Sequence, residues 1–139
     1  MALVYTTKDA ILTALETCLK RVSWVTTVDR QQVGVQEYQS PKGCFISDVR
    51  ETRRTFLKNC ILVDYTVMVV VFVYVEAQTS LSTEMNAALQ EVKAQLVLDT
   101  TLGGLVDKVI INSIDTDSGF NAPNAYATLV LSIQYLGAT

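Results

Sequence analysis

Residues 61–75, ILVDYTVMVVVFVYV, are the stretch on which the fold turns. From Tyr65 to Val75 the run carries no charge. It is too short for the ~20 residues of a membrane-spanning helix, and its valine content favours an extended strand. Read at a period of two, Val67, Val69, Val71 and Val73 line one face, while Met68, Val70, Phe72 and Tyr74 line the other. A strand that is apolar on both sides requires cover on both sides.

On its N-terminal side, the segment from Cys44 to Phe56 alternates poorly. One face would carry Ile46, Asp48, Arg50, Thr52 and Arg54, and the other Phe45, Ser47, Val49, Glu51 and Arg53. Neither outer half is apolar, so this strand is expected to leave the core as a polar arm over about residues 44–56. Before it, Pro41-Lys42-Gly43 reads as a turn, and residues 25–40, VTTVDRQQVGVQEYQS, read as an extended polar loop. Earlier still, Ile11, Leu15, Cys18 and Val22 recur at helical spacing, with Leu12 and Leu19 widening the stripe. Thr6 or Thr7 is suited to cap this helix, Asp9 suits its positive end, and Lys20 and Arg21 suit its close near residues 21–23.

On the C-terminal side, a second helix is expected to open near Ser80 or Ser82. Met85, Leu89, Val92 and Leu96 form its stripe, flanked by Glu91, Lys93 and Gln95. Next come Gly103-Gly104, a strand over Lys108–Asp115, a loop through TDSGFNAPN, and a final strand over Ala125–Tyr135. That last strand sets Leu129, Leu131, Ile133 and Tyr135 against Thr128, Ser132 and Gln134. The order α-β-β-α-β-β implies an α+β fold: a mixed or antiparallel sheet of about four strands with two helices on one face, in a single domain spanning 1–139.

Gly103-Gly104 stands where a phosphate loop is worth testing. Such a loop needs a strand, glycines and then a helix whose N-terminus faces the anion. Here the order is helix, glycines, strand, and no Lys-Ser or Lys-Thr follows. The glycines are better read as left-handed residues ending the helix, with Leu102 and Leu105 folding back on the core. The segment DTDSGFNAPNAY imitates a calcium loop through Asp115 and Asp117. It departs from one at Gly119 and Tyr126, where oxygen ligands belong, so a solvated turn is the simpler expectation.

The chain contains no histidine, which removes histidine triads and imidazole acid–base chemistry. Carboxylates such as Asp9 and Glu16 are spread over helix faces and ends. Cys18, Cys44 and Cys60 are far apart without a C-x-x-C pair, and are expected to be reduced, buried thiols of a protein made in a cytoplasm. No cofactor, metal or catalytic residue is expected. Half of the 139 residues are hydrophobic and 18% are charged, which suits a packed core. A net charge of −3 and a pI near 4.8 argue against a dedicated nucleic-acid binder. The opening MALVYTTKDA has no signal-peptide pattern, and no membrane association is expected. The mixed-sign group Arg50, Glu51, Arg53 and Arg54 is either a solvated arm or an ion-pairing contact with a partner.

The second half of the chain resembles the tail terminator (tail completion) proteins of tailed bacteriophages. The resemblance is carried by DYTVMVVVFVYVEA (64–77), NAALQEVKAQLVLD (86–99), DTTLGGLVDKVIINSIDTD (99–117) and PNAYATLVLSIQY (123–135), with AILTALETCLKRV (10–22) standing where that family has its N-terminal helix. It implies a homo-oligomeric, six-fold ring in the virion. The ring would sit on the last layer of tail tube protein, halt polymerisation and face the head-side connector or stopper protein. Duplex DNA would pass through without specific binding. Residue patterning adds separate support, because two helices cover one sheet face and the other needs a neighbour or a long loop. On this view Arg50, Glu51, Arg53 and Arg54 are candidates for the subunit or partner contact, and Glu37, Glu51, Asp115 and Asp117 for the channel wall or rim. The alternatives are another neck or head-completion protein, or a small cytosolic ligand-binding α+β domain with a pocket on the open sheet face.

Overall fold

Strands β3 (Cys60–Tyr74) and β5 (Asn124–Ala138) form the spine of the sheet, paired antiparallel from Cys60 opposite Ala138 to Tyr74 opposite Asn124. The structure, a computed structural model, describes residues 7–25, 28–29, 42–57, 60–74, 81–116 and 124–138. Strand β2 (Lys42–Leu57) joins β3 antiparallel on one side, and β4 (Lys108–Thr116) joins β5 antiparallel on the other. A two-residue strand β1 (Val28–Asp29) runs parallel to β2 at Cys44 and Phe45, giving the order β1-β2-β3-β5-β4. With helices α1 (Lys8–Leu19) and α2 (Leu81–Leu98), the fold is the expected α+β, with four long antiparallel strands in the order α-β-β-α-β-β. The short β1 falls in the segment read from sequence as loop.

Both helices cover one face of the sheet. Ile11, Leu12, Leu15, Cys18 and Leu19 of α1 and Met85, Ala88, Leu89, Val92 and Leu96 of α2 are buried in one cluster. The cluster also takes the alternate β3 residues Val63 to Val73 and, from β5, Leu129, Leu131, Ile133 and Tyr135. Both helical stripes therefore face the core as their 3.6-residue spacing requires. Thr7 caps α1 by accepting a hydrogen bond from the Ala10 N–H at 3.2 Å. The regular helix stops at Leu19, earlier than the spacing suggests, but turns continue the chain so that Val22 and Val25 are still buried.

The glycine pair is structural. Leu102, Gly103 and Gly104 have φ of 50°, 72° and 87°, a left-handed run beyond the end of α2. All three of its amides are used internally: Leu102 N–H donates to the Asp99 carbonyl at 3.2 Å, Gly103 N–H to Asp99 Oδ1 at 2.9 Å and Gly104 N–H to Thr101 Oγ1 at 3.2 Å. Leu102 is buried and Leu105 packs against the core, as expected. The glycines lie several residues past the last helical residue rather than directly at the helix end, because residues 99–101 form an intervening turn.

Two expectations need correction. Lys42-Gly43 is not a turn; β2 begins there, with Gly43 opposite Phe72, while Pro41 lies outside the described residues. The segment 44–56 is also not an arm detached from the sheet. It pairs with β3, and Cys44, Phe45 and Ile46 are buried. The polar character begins after Ile46. There Val49 is inserted between Asp48, opposite Val67, and Arg50, opposite Thr66. This one-residue bulge reverses the alternation read from sequence. Past it, Glu51 and Arg53 stand opposite Tyr65 and Val63 on the helix side, while Arg50 shares the far side with Thr66.

Candidate functional site

The bulge gathers a charged group at one end of the core. Glu51 is its hub. Its Oε2 lies 3.2 Å from Arg53 Nε, its Oε1 accepts a hydrogen bond from the Tyr135 hydroxyl at 3.3 Å, and Lys8 Nζ lies 3.8 Å away. Lys8 also reaches Asp48 Oδ2 at 3.4 Å and sits 5.4 Å from the centre of the Tyr65 ring. As the first residue of α1, Lys8 meets the positive end of the helix dipole, an unfavourable place for a cation. The two carboxylates of β2 offset it. Tyr65 and Tyr135 meet edge to face with centroids 6.4 Å apart. Burial, then the negative charges of Asp48 and its neighbours, push the Tyr65 hydroxyl well above its ordinary range. Burial, then the charge and hydrogen bond of Glu51, push Tyr135 up to about 12, with Arg53 acting in the opposite direction.

The expected contact residues are only partly together. Glu51 and Arg53 belong to this group. Arg50 is exposed on the opposite face of the sheet, and Arg54 stands opposite Leu62 in the register. Of the rim candidates, Asp115 is exposed on β4 opposite Thr128, whose β3 partner is Val70, so it lies well along the sheet from Glu51, whose partner is Tyr65. Glu37 and Asp117 lie outside the described residues. Lys8, Tyr65 and Tyr135 were not singled out as site residues from sequence. Each looked like an ordinary member of a helix or strand pattern, and only tertiary pairing brings them to Glu51.

The second face of the sheet differs in kind. Phe45, Val70 and Phe72 are buried there, apart from the helix-covered cluster. Further along the same face Leu62, Met68 and Val130 are half-buried, and Ile110 and Leu136 are exposed. Interleaved with them are Thr66, Thr128, Ser132 and Gln134, and Asp64 on β3, Lys108 and Asp115 on β4 and Arg50 on β2 share the same face, so its apolar side chains are set among polar and charged groups.

Among the described residues there is no group of three or more His, Cys, Asp or Glu able to hold a metal ion. Cys18 and Cys44 are buried thiols outside any disulfide; the Cys18 thiol donates to the Gln95 carbonyl at 3.4 Å, and burial pushes its pKa up. No described helix is long and apolar enough to cross a membrane. No protein-family model and no curated protein matches this chain.

Proposed function

We propose that this chain is a non-enzymatic subunit of a phage-like tail: a terminator that caps the head-proximal end of the tail tube, stops its growth and joins it to the head-side connector. The observation that carries this is the second sheet face. Both described helices lie on the other side, yet this face presents Leu62, Met68, Val130, Ile110 and Leu136. These apolar side chains, with Leu62 and Leu136 on one side of the rows Asp64–Gln134 and Thr66–Ser132 and Met68 and Val130 on the other, suit contact with another protein. In a cyclic, head-to-tail oligomer each subunit offers this face to its neighbour's different surface, and rotation closes the ring. The number six and the tail partners come from the family resemblance in sequence.

The acidic balance of the chain, net −3, fits a channel that lets DNA slide. A basic wall would release counterions and grip the duplex. Asp115, Glu37, Glu51 and Asp117 remain the proposed wall or rim positions. Arg50, Glu51, Arg53 and Arg54 remain the proposed contact with a neighbour, Glu51 and Arg53 as an ion pair already formed within one subunit.

Native mass spectrometry with electron microscopy of tails tests the proposal. The expected result is a closed ring placed at the head-proximal tube end, and tails of abnormal length when the protein is missing. A stable monomer that never decorates tails would overturn it and favour a small-molecule binder using the open sheet face.

A further inference from the structure

Among the described residues, every break in register in this sheet lies on an outer long strand. The inner pair β3 and β5 runs without a break over the 15 residues of each strand. Strand β2 carries an extra residue at Val49, and another at Phe56 between Thr55, opposite Ile61, and Leu57, opposite Cys60. Strand β4 carries Asn112 between Ile111, opposite Leu131, and Ser113, opposite Val130. In each case the surplus residue belongs to the outer strand. Among the described residues β4 has no further strand beside it, and β2 has only β1 at Cys44 and Phe45.

A row of unpaired backbone N–H and C=O groups is a template for another chain. An inserted residue bends the strand, increases its twist and puts the two rows of groups out of step with a straight incoming strand. The insertions here are backed by charge. Exposed Asp48 and Arg50 flank Val49, Glu51 and Arg53 are turned to the helix side, and exposed Lys108 and Asp115 stand on either side of Asn112. Charges on and within an edge strand penalise strand addition further.

We propose that the insertions at Val49 and Asn112 close both sheet edges to strand addition, so that a second copy of this chain meets it through a face and does not extend its sheet. The inference does not depend on the tail assignment. It concerns how copies make contact, whatever they build.

Deleting the inserted residue is a mild change, because the flanking residues already oppose consecutive partners and keep their faces. Chains lacking Asn112, lacking Val49, or lacking both are compared with wild type by circular dichroism, sedimentation and hydrogen exchange. The expected result is a folded variant that sediments as a larger species than wild type, with new protection of the outward amides of the straightened strand. Folded variants that keep the wild-type size and edge exchange would overturn the proposal. A measurement on the wild type decides the matter even if the deletions unfold the chain. Its outward β4 amides, and those of residues 50–57, should exchange equally fast at low and high protein concentration. Protection of those amides when the wild type self-associates would mean the edges are open to strands.

Discussion

The Tyr135 hydroxyl on β5 donates to Glu51 on β2 at 3.3 Å, although β3 lies between the two strands. The bond spans β3 because the Val49 insertion turns Glu51 to the helix side, where Tyr65 and Tyr135 already stand. A backbone irregularity thus places a carboxylate over an aromatic pair.

That contact gives the chain an alkaline limit. A tyrosine held up to about 12 against an ordinary value near 10 stabilises the fold fully below pH 10, and that stability is lost as pH rises towards 12. Chemical denaturation from pH 8 to 12 should show stability falling in this window, and Tyr135→Phe should make the fall shallower. The same substitution should cost about 1 kcal/mol at pH 8 through the lost hydrogen bond. An identical alkaline slope in both proteins would show that Tyr135 does not ionise differently on unfolding.

Leu89 reports on the helix-to-sheet core. It is buried on the α2 stripe with Met85, Val92 and Leu96. Leu89→Ala should lower stability by about 2 to 5 kcal/mol, seen as a shift in denaturant midpoint without a change in slope. An unmoved midpoint would mean that this stripe is not packed.

Gly103 and Gly104 separate backbone strain from steric conflict. A Cβ at either position would meet nothing within 4 Å, but both have the positive φ that side chains disfavour. Gly103→Ala and Gly104→Ala should therefore each cost about 1 to 2 kcal/mol by conformation alone. Asparagine, which tolerates the left-handed region better, should cost less than alanine at the same site. Equal costs for alanine and asparagine would point to another cause.

These cases mark what was legible in the sequence. The α1 and α2 stripes and the two faces of β3 could be read because burial imposes periods of 3.6 and two, and Val69, Val71, Phe72, Leu89, Val92 and Leu131 are all buried. The phase of β2 could not. Val49 in Asp-Val-Arg-Glu looks like any strand position, and nothing local marks it as surplus. The charged group was hidden for a different reason: Lys8 and Asp48 are 40 residues apart in sequence and meet only after α1 docks. The left-handed character of the glycine pair was legible from residue type, but its offset from the helix end depended on the turn at 99–101.

The last prediction separates the second sheet face from the core that it backs. Met68 on β3 and Val130 on β5 are register partners, half-buried on the side away from the helical cluster. If this face meets a neighbouring subunit, a charge there is tolerated in the isolated chain and costly in the assembly. A lysine at Met68 can run its stem along the sheet and keep its ammonium in water while the subunit is alone. Against a neighbour that ammonium would be buried without a partner, at a cost far above that of a lost apolar contact. Met68→Lys should leave circular dichroism and cooperative melting of the subunit near wild type while native mass shifts from ring to monomer. The same charge placed on the helix side, as in Val69→Lys, should instead unfold the chain, since Val69 is fully buried. Should Met68→Lys assemble as wild type does, the neighbour does not sit on this face. If it unfolds like Val69→Lys, the face is covered within the subunit itself.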